Sequence, residues 1–444
     1  MRKAGIVSLG CARNLVDSET ILGSLRECGY DIAEVDDGVD ICLVNTCAFV
    51  ESARKESVEA ILELAGLKKK GKIKSLIVCG CLPQLYREKL SRQIPEADLV
   101  LGTGEISKIS LYIKSLGRAK RRTEIGQEPR YLYDERTPRF IIGPKHRVYI
   151  KISEGCSNFC SYCIISKLRG PFRSRSVDSV LAEAARLSKG GALREIDLIG
   201  QDTTLFGMDR YGKMALSHLL RSMCRLNNGV RWIRALYTHP AHYTDELIST
   251  IRSEDKICKY LDIPIQHASD RILKLMNRRT TGKDIRGLIH KLRRSIPGVA
   301  LRTSVIVGFP GETESDFKEL LRFIKETGFE RLGSFVYSRE DGTRASTFRS
   351  QVPEAVKKER LDELMKAQQV ISLRHNRSMV GKVIDVLIDE KAGTSNMEFA
   401  GRTEHDAPEV DCGVLVSGKG IKIGEFCRVK ITDATEYDLI GEKA

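Results

Sequence analysis

Long apolar runs are missing from this chain of 444 residues. No uninterrupted stretch approaches the roughly 18 apolar residues of a membrane span. The opening MRKAGIVSLGC holds an apolar run shorter than the core of a secretory signal, which needs about 7 to 15 residues. We therefore expect a protein with no membrane anchor that works in the cytoplasm, where thiols stay reduced.

Aromatic residues are also scarce, at 6% of the chain with a single Trp. The sequence has no basic stripe interleaved with aromatics, of the kind that binds single-stranded nucleic acid. Charge is plentiful, with a formal net charge of +14. Runs such as Lys68 to Lys72 and Arg118 to Arg122 either touch a nucleic acid or form a solvated face, and the sequence leaves both interpretations open.

Hydrophobic residues (41%) and charged residues (30%) are balanced as in globular proteins. A chain of this length is expected to form two or three domains, because single cores seldom grow beyond about 250 to 300 residues. The 13 cysteines do not predict disulfides, since disulfide frameworks belong to short secreted chains. They are therefore available as metal ligands or as core residues.

The first hundred residues alternate short apolar runs with helical patterns, which predicts a parallel sheet with crossover helices. The predicted strands are Ile6 to Leu9, Ile41 to Val44 and Leu76 to Val78. They lead to Cys11, Cys47 and Cys81, in the segments SLGC, VNTC and CGC. Because the carboxyl ends of strands gather at one edge of a doubly wound sheet, we expect these thiols to meet. For any one of them alone, a buried core thiol is the plainer interpretation.

Residues 117 to 147 are rich in Arg and Lys, contain three prolines and have no sustained period, which predicts a linker. A second series of strands then alternates with helices. Six such strands favour an open, partial barrel whose polar strand ends face one cavity. They are expected at Val148 to Ile152, Glu195 to Ile199, Ile233 to Tyr237, Leu261 to Ile265, Ser304 to Val307 and Gly333 to Tyr337.

A charged helix is predicted from Glu354 to Arg374, and short alternating strands after it indicate a small closed β-barrel. The predicted fold is α/β and has three domains. We expect a flavodoxin-like doubly wound domain at residues 1–118, a linker at 119–141, a partial (β/α) barrel of the TIM type at 142–374 and an OB-like barrel at 375–444.

Three cysteines follow the first strand of the predicted partial barrel, in the segment EGCSNFCSYC. Cys156, Cys160 and Cys163 are spaced so that a short loop wraps one iron–sulfur cluster, whose usual ligands are thiolates. Three ligands leave one iron open, and the amine and carboxylate of an amino acid can chelate it. A structural zinc site is the alternative, but it needs four ligands, and no nearby histidine or fourth cysteine supplies one.

This CxxxCxxC motif resembles that of the radical S-adenosylmethionine (SAM) superfamily. The resemblance implies that the cluster reduces bound SAM to methionine and a 5′-deoxyadenosyl radical. The segments EIDLIGQ, near the methionine amine, and SVIVGFPGE, near adenine, resemble the same family. Together with the segment PIQH, the resemblance implies cofactor contacts at Gln201, Gln266, Arg302, Ser304, Gly308, Gly311 and Glu312.

With Cys11, Cys47 and Cys81 included, the whole chain resembles the radical SAM methylthiotransferases, which replace C–H by C–SCH3. The resemblance implies an amino-terminal methylthiotransferase domain, a radical SAM core and a carboxyl-terminal TRAM barrel. It also implies two [4Fe-4S] clusters. The first, on these three cysteines, carries the sulfur that is methylated, and the second generates the radical. Two SAM molecules and an electron donor such as flavodoxin or ferredoxin are implied as well.

One branch of this family modifies an adenosine of transfer RNA, and another modifies the β-carbon of an aspartate in the twelfth protein of the small ribosomal subunit. SLGCARNLVDSE, from Ser8 to Glu19, and GRTEHDAPEVD, from Gly401 to Asp411, resemble the ribosomal-protein branch. Transfer-RNA enzymes more often have Gln and Met after the first cysteine. One departure is Ser166, where the ribosomal-protein branch usually has proline. The resemblance implies a ribosomal protein as substrate, with the transfer-RNA enzyme as the alternative.

Charge gives a separate argument for a protein substrate. Residues 376–444 hold nine basic and thirteen acidic residues, a net charge of −4 in a chain of +14. A domain that grips RNA is expected to carry a basic face. We therefore predict that Glu404, Asp406, Glu409 and Asp411 face a basic protein partner. Scattered, solvated acids are the alternative.

A non-catalytic electron carrier or an RNA-binding module is disfavoured, because neither needs an open iron beside a barrel cavity. No general acid or base is assigned, since radical chemistry needs little help of that kind. His239 and His267, in the segments YTHP and PIQH at strand ends, are interpreted either as cavity-lining or as packed residues.

Overall fold

The computed structural model describes residues 2–35, 38–114, 121–226, 228–393 and 397–444. The predicted boundary after residue 118 and the first part of the basic run at 118–122 lie outside these residues. No helix of the described ranges is both long enough and apolar enough to cross a bilayer.

Six parallel strands form the first sheet, in the order β2-β1-β3-β4-β5-β6. Its elements are β1 (Arg2–Ser8), α1 (Ala12–Glu27), β2 (Tyr30–Ile32), β3 (Ile41–Thr46), α2 (Glu51–Lys69), β4 (Ser75–Gly80), α3 (Cys81–Tyr86), α4 (Glu88–Gln93), β5 (Leu99–Leu101), α5 (Ile109–Ile113) and β6 (Arg122–Glu124). The first five strands have the flavodoxin-like order, which confirms the predicted fold class. Strand β3 is buried along its whole length, as expected for a central parallel strand with helices on both faces.

A partial barrel follows, built from two three-stranded parallel sheets that a bridge between Ile233 and Ile257 connects. Its six strands are β7 (Arg147–Lys151), β10 (Glu195–Ile199), β11 (Trp232–Ala235), β12 (Tyr260–Asp262), β13 (Ala300–Val307) and β14 (Arg331–Val336). Its helices are α6 (Ile165–Arg169), α7 (Val177–Ser188), α8 (Met208–Tyr211), α9 (Leu216–Cys224), α10 (Asp245–Ser253), α11 (Asp270–Leu275), α12 (Gly282–Ser295), α13 (Glu314–Thr327) and α14 (Glu354–Arg377). All six predicted strands are present. The short pair β8 (Ser153–Glu154) and β9 (Arg173–Ser174) brackets the loop that carries the CxxxCxxC motif.

The segment predicted to be a linker is anchored at several points. Strand β6 joins the first sheet beside β5. Tyr133 is buried, and its hydroxyl accepts a hydrogen bond from the amide of Lys151 at 3.0 Å. Arg139 forms fully buried ion pairs with Glu19 of α1 and, at 2.7 Å, with Glu183 of α7. The segment therefore holds the first sheet against the partial barrel.

Five strands at the carboxyl end close into a small barrel, in the order β15-β16-β17-β19-β18. They are β15 (Val383–Lys391), β16 (Phe399–Arg402), β17 (Val414–Ser417), β18 (Phe426–Ala434) and β19 (Leu439–Lys443). The predicted closed β-barrel is thereby confirmed.

This small barrel docks against the amino-terminal ends of the strands of the partial barrel. Arg402 donates to Glu195, the first residue of β10, at 2.7 Å. His146, which precedes β7, lies 2.8 Å from Asp389 of β15. Active sites of such barrels lie at the opposite, carboxyl ends of the strands, so this contact closes the end away from the CxxxCxxC loop.

The acidic cluster of the small barrel lies at this contact, and the prediction that it faces a protein partner is wrong for its two buried members. Asp406 is 1% exposed and accepts from Arg331, at 2.7 Å. Asp411 accepts from Arg302 at 3.2 Å and from the hydroxyl of Tyr260 at 2.5 Å. These carboxylates are turned inward because the barrel end carries arginines that need buried partners.

The other two acids of the cluster are more exposed but also bind the partial barrel. The backbone carbonyl of Glu404 accepts from Arg234 at 2.7 Å, and its carboxylate accepts from the amide of Lys259 at 3.1 Å. Glu409, whose side chain is 52% exposed, pairs with Arg147 at 2.9 Å. The motif GRTEHDAPEVD is therefore an intramolecular contact segment.

Replacing Asp406 by Ala should strongly destabilise the protein, because the buried guanidinium of Arg331 loses its carboxylate. Removing one partner of a buried ion pair typically costs about 3 to 5 kcal/mol. Glu409→Ala is the matched control, since an exposed pair contributes about 1 kcal/mol or less. Denaturant unfolding of both variants measures the difference. Equal losses of stability would contradict the assignment of Asp406 as a buried partner.

Candidate active site

A glycine with left-handed backbone precedes a cysteine at three strand ends. Gly10, Gly80 and Gly155 have φ values of 94°, 100° and 79°, which glycine adopts at low cost. A Cβ on Gly10 would lie 2.8 Å from the Cβ of Cys47. One on Gly155 would collide with the carbonyl oxygen of Pro171. At each of these places the chain turns sharply and comes too close to its neighbours for any side chain.

The first cysteine trio, Cys11, Cys47 and Cys81, lies at the carboxyl edge of the first sheet, as predicted. Cys11 caps the start of α1, Cys47 follows β3 and Cys81 opens α3. Burial, together with the other two thiols, raises the pKa of the Cys81 thiol to about 11, although Arg169 opposes the shift. Burial likewise raises the pKa of Cys47, and Cys11 adds to that effect. The three thiols therefore lie within electrostatic reach of one another.

The second trio, Cys156, Cys160 and Cys163, lies in the loop between β8 and α6, at the carboxyl ends of the barrel strands. Burial raises the pKa of Cys156 to about 11 and that of Cys163 to about 12, and Cys160 raises both. The amide of Cys156 donates to the carbonyl of Gly170 at 3.1 Å, and that of Cys163 donates to the carbonyl of Cys160 at 3.0 Å. Phe159 between them is 64% exposed and has a φ of 50°.

Neither trio has the spacing of a single-ion site. Within the described ranges, ligand atoms of Asp202, His239 and His242 all lie within 4.8 Å of one another, which is close enough to share one metal ion. The thiols of neither cysteine trio are that close together. Thiolates bound to one tetrahedral zinc, with bonds of about 2.3 Å, lie about 4 Å apart. The all-sulfur donor sets fit iron–sulfur clusters, whose usual ligands are thiolates.

A buried network of four charged residues joins the two trios. Lys151 of β7 donates to Asp17 of α1 at 2.5 Å and to Glu154 at 2.6 Å. Arg169 of α6 pairs with the same two carboxylates and also donates to the sulfur of Cys81 at 3.5 Å. Although burial opposes it, Lys151 and Arg169 hold the pKa of Glu154 at about 2. Glu154 thus stays ionised, and the network ties the first sheet to the barrel.

The loop after Cys47 has its own contact with the barrel. Helix α2 begins at Glu51, and its N-cap residue makes no side-chain capping hydrogen bond. Glu340, from the loop after β14, instead accepts from the amide of Glu51 at 3.1 Å and pairs with Arg54. Its side chain is 5% exposed. A barrel carboxylate therefore caps the helix that follows a cysteine of the first trio.

Arg13 supplies the contact near Cys11. Its guanidinium donates to the carbonyl of Gly200 at 2.8 Å and lies over the ring of Tyr237, 4.3 Å from its centroid. Burial alone would raise the pKa of Cys11, but the charges of Arg13 and Arg169 outweigh it and lower that pKa. Each cysteine of the first trio thus lies beside a polar contact between the sheet and the barrel.

Of the predicted cofactor residues, Gln201 and Gln266 lie in the segments that follow β10 and β12, and Ser304 lies within β13. Gln201 follows β10 and donates to Glu154 at 2.5 Å, which links it to the buried network. Gln266 has a φ of 73°, and its amide donates to the carbonyl of Ser304 at 2.9 Å. A role for their side chains in cofactor binding remains a prediction.

The glycine-bearing segment after β13 is stabilised by Glu312, which belongs to the segment and was predicted to contact the cofactor. Glu312 accepts from the amide of Gly308 at 2.9 Å and from Arg360 at 2.8 Å. A Cβ on Gly308 would collide with the side chain of Lys357, whereas Gly311 has more room. Glu312 therefore fixes the turn.

Two further residues have partners inside the protein. Arg302 pairs with Asp262 at 2.8 Å and with Asp411, toward the small barrel. His267 is fully buried, and its Nδ1 accepts from the amide of Ser269 at 3.0 Å. Of the two interpretations of His267, the packed one applies.

A polar group beside the second trio escaped the sequence analysis, although it follows the segment EIDLIGQ directly. Asp202 accepts from Asn158, within the cysteine loop, and from His242, each at 2.9 Å. His239 stacks on His242 with ring centroids 4.7 Å apart. Burial, together with the charge of Arg278, lowers the pKa of His239 to about 3, so this ring stays neutral.

Ser166 occupies the first turn of α6. Amides in the first turn of a helix have no partner within the helix, so a proline there would lose no helical hydrogen bond. Serine is therefore compatible with the same local geometry.

Replacing Glu340 by Ala should loosen the start of α2, because the helix loses the carboxylate that caps it. A lost cap costs about 1 kcal/mol, so hydrogen exchange of the amides at residues 51–54 should quicken about fivefold. Lys55→Ala, which removes an exposed ion pair with Glu51 on the same helix, is the control and should leave exchange nearly unchanged. Unaltered exchange in the Glu340 variant would refute the cap.

Models of three families match the chain. The Radical SAM superfamily matches residues 150–324, the Uncharacterized protein family UPF0004 matches residues 3–102, and the TRAM domain matches residues 380–443.

Among solved structures, the radical S-adenosylmethionine methyltransferase TsrM from Kitasatospora setae aligns with a TM-score of 0.58. It is 14% identical, and the match covers 78% of this chain and 77% of TsrM. The cobalamin-dependent radical enzyme OxsB aligns with a TM-score of 0.53 at 13% identity, over 83% of this chain and 56% of OxsB. These likenesses support the fold.

Curated relatives are far more similar in sequence. The ribosomal protein uS12 methylthiotransferase RimO of Geobacter sulfurreducens is 47% identical over 440 residues, which cover 99% of this chain and 98% of the relative. The enzyme of the same name from Desulforamulus reducens is 46% identical over 445 residues and the full length of both chains. Similarity at this level, over the full length and across all three matched regions, is that of family members. The chain belongs to the family of the ribosomal protein uS12 methylthiotransferases.

Proposed function

We propose that this protein replaces a C–H bond of ribosomal protein uS12 by C–SCH3, at the β-carbon of an aspartate, by radical SAM chemistry. The observation that carries the proposal is the pair of cysteine trios held on either side of one buried charge network. A radical source alone requires only Cys156, Cys160 and Cys163. The trio of Cys11, Cys47 and Cys81 adds a second thiolate site, which methylthiolation requires as a source of sulfur.

We assign one [4Fe-4S] cluster to each trio. When bound, the cluster on Cys156, Cys160 and Cys163 supplies an open iron for SAM and the electron that cleaves it, and the other cluster supplies sulfur. Because ligand thiols must lose their protons, the cations beside them favour loading. Arg169 lies against Cys81 and Arg13 beside Cys11, so each offsets part of the cost that burial imposes on a thiolate.

The residues of the junction hold the two sites in a fixed relation. Asp17 and Glu154 come from different domains and share the cations Lys151 and Arg169, so neither domain can shift without separating a buried pair. Fixed geometry matters because the reacting carbon has to reach both the radical and the sulfur. We further propose that a flavodoxin or ferredoxin supplies the electrons. We also propose domains at 1–118, 142–374 and 375–444, with β6 of the connecting segment added to the first of them.

Ribosomal protein uS12 from cells that lack this gene should be unmodified, and a plasmid-borne copy should restore one methylthio group on one aspartate. A plasmid with Cys156→Ala should fail to restore it, because the radical site is lost. Mass spectrometry of uS12 and of total transfer RNA from the same cells measures both outcomes. Unmodified uS12 beside gene-dependent methylthiolation of transfer RNA would overturn the proposal.

Cys11→Ala and Cys156→Ala should each lose about four irons per chain after anaerobic reconstitution, because each trio is expected to hold one separate cluster. Cys224→Ala is the control and should retain all the iron, since Cys224 belongs to neither trio. Iron analysis is combined with an assay of 5′-deoxyadenosine, which only the Cys156 variant should fail to form. Loss of both clusters, or of neither, from a single variant would contradict the two-site assignment.

A further inference from the structure

Arg13 lies between the two cysteine trios. Its guanidinium is close enough to Cys11 of the first trio and to Cys163 of the second to influence the ionisation of both thiols. It also reaches across the junction to the carbonyl of Gly200, directly after β10, at 2.8 Å. The side chain keeps partial exposure there.

Arg13 differs from the other cations of the junction in having no carboxylate partner. Lys151 and Arg169 each contact both Asp17 and Glu154. Among the described residues, the thiol of Cys11 and the phenol of Tyr237 are the main groups that raise the pKa of Arg13, and Arg13 forms no ion pair with a carboxylate there.

Arg13 lies beside the thiol of Cys11, but no carboxylate engages its guanidinium, so N–H donors of its fork remain for a carboxylate that a ligand brings. Arginine suits this task, because its planar fork of N–H donors matches the two oxygens of a carboxylate. The ring of Tyr237 fixes the plane of the guanidinium from one side. Arg13 is therefore a preorganised carboxylate-binding group at the place where the two sites meet.

We propose that Arg13 binds the side-chain carboxylate of the aspartate that is modified; this inference rests on the proposed function. In an aspartate the β-carbon is bonded directly to the carboxylate carbon. Arg13 itself joins the helix that follows Cys11 to the strand end at Gly200, so a carboxylate bound to it brings the β-carbon to the junction of the two domains that carry the cysteine trios. Arg13 thus selects an acidic side chain and orients the C–H bond that is broken.

SAM also carries a carboxylate, which is the alternative ligand for Arg13. The following experiment distinguishes it from the carboxylate of the aspartate. Arg13→Met and Arg13→Lys are prepared beside Arg194→Met, a control in which an exposed arginine that also donates to a backbone carbonyl is removed. Each enzyme is reconstituted and its iron content measured. Each is then assayed with uS12 and with uS12 whose target aspartate is replaced by asparagine. The asparagine form is tested both as a substrate and as a competitive inhibitor of the aspartate form. Inhibition gives the ratio of the two affinities even if the asparagine form yields too little product to measure.

The unaltered enzyme should prefer aspartate over asparagine by about 10- to 100-fold, the usual effect of a hydrogen bond to a charged group. Compared with the unaltered enzyme at equal cluster content, Arg13→Met should lose about that factor on the aspartate substrate and no longer distinguish the two substrates. Arg13→Lys should keep part of the preference, and Arg194→Met all of it. Formation of 5′-deoxyadenosine without uS12 should be the same in all four proteins.

A preference that survives in Arg13→Met overturns the inference. If Arg13→Met keeps the preference for aspartate and its KM for SAM rises, Arg13 binds the carboxylate of SAM instead, and the inference is wrong. Equal treatment of both substrates by the unaltered enzyme also overturns it. Failure of the proposed function looks different, because the unaltered enzyme would then leave uS12 unmodified altogether.

Discussion

Four charged side chains buried at one junction hold this molecule together. Asp17, Lys151, Glu154 and Arg169 come from the first sheet and the partial barrel, and each cation contacts both carboxylates. Charges taken out of water are tolerable only when every partner is present. The docking of sheet on barrel is therefore close to all-or-none. The site inherits this property, because Arg169 also touches Cys81.

The two ends of the partial barrel have separate tasks. At the carboxyl ends of the strands lie the cysteine loop, Asp202 and the contacts to the first sheet. At the amino-terminal ends, Arg331 and Arg402 pair with carboxylates of the small barrel and of the strands themselves. The candidate site thus lies at one end of the strands and the stabilising ion pairs lie at the other, as in complete barrels of this type. The small barrel stabilises the scaffold on which the site is built.

The periodicity of apolar residues, and the glycines and cysteines that follow apolar runs, were enough to predict the architecture and the two trios. Cys11 and Cys81 follow a glycine directly after an apolar run, and that pattern survives folding because it is local. The three-residue strands β2, β5 and β6 are too short to show a period and were missed. Tyr133 and Arg139 lie in a stretch without periodicity, so their burial was not predicted either.

The acidic motif of the small barrel shows where such reasoning fails. Net charge correctly separated residues 376–444 from the rest, but it does not reveal which charges meet. The partners of Asp406 and Asp411 are Arg331 and Arg302, whose positions on neighbouring strands become visible only in the folded chain. The same holds for Glu340, which reaches a helix almost 300 positions earlier in the chain. The family assignment is right, although its electrostatic argument was wrong.

The small barrel covers the amino-terminal ends of the strands, so the cysteine loop is approached from the opposite face. A protein bound over that face also covers any small molecule that lies beneath it. Binding of a large ligand and of a small one at this place are therefore coupled by position.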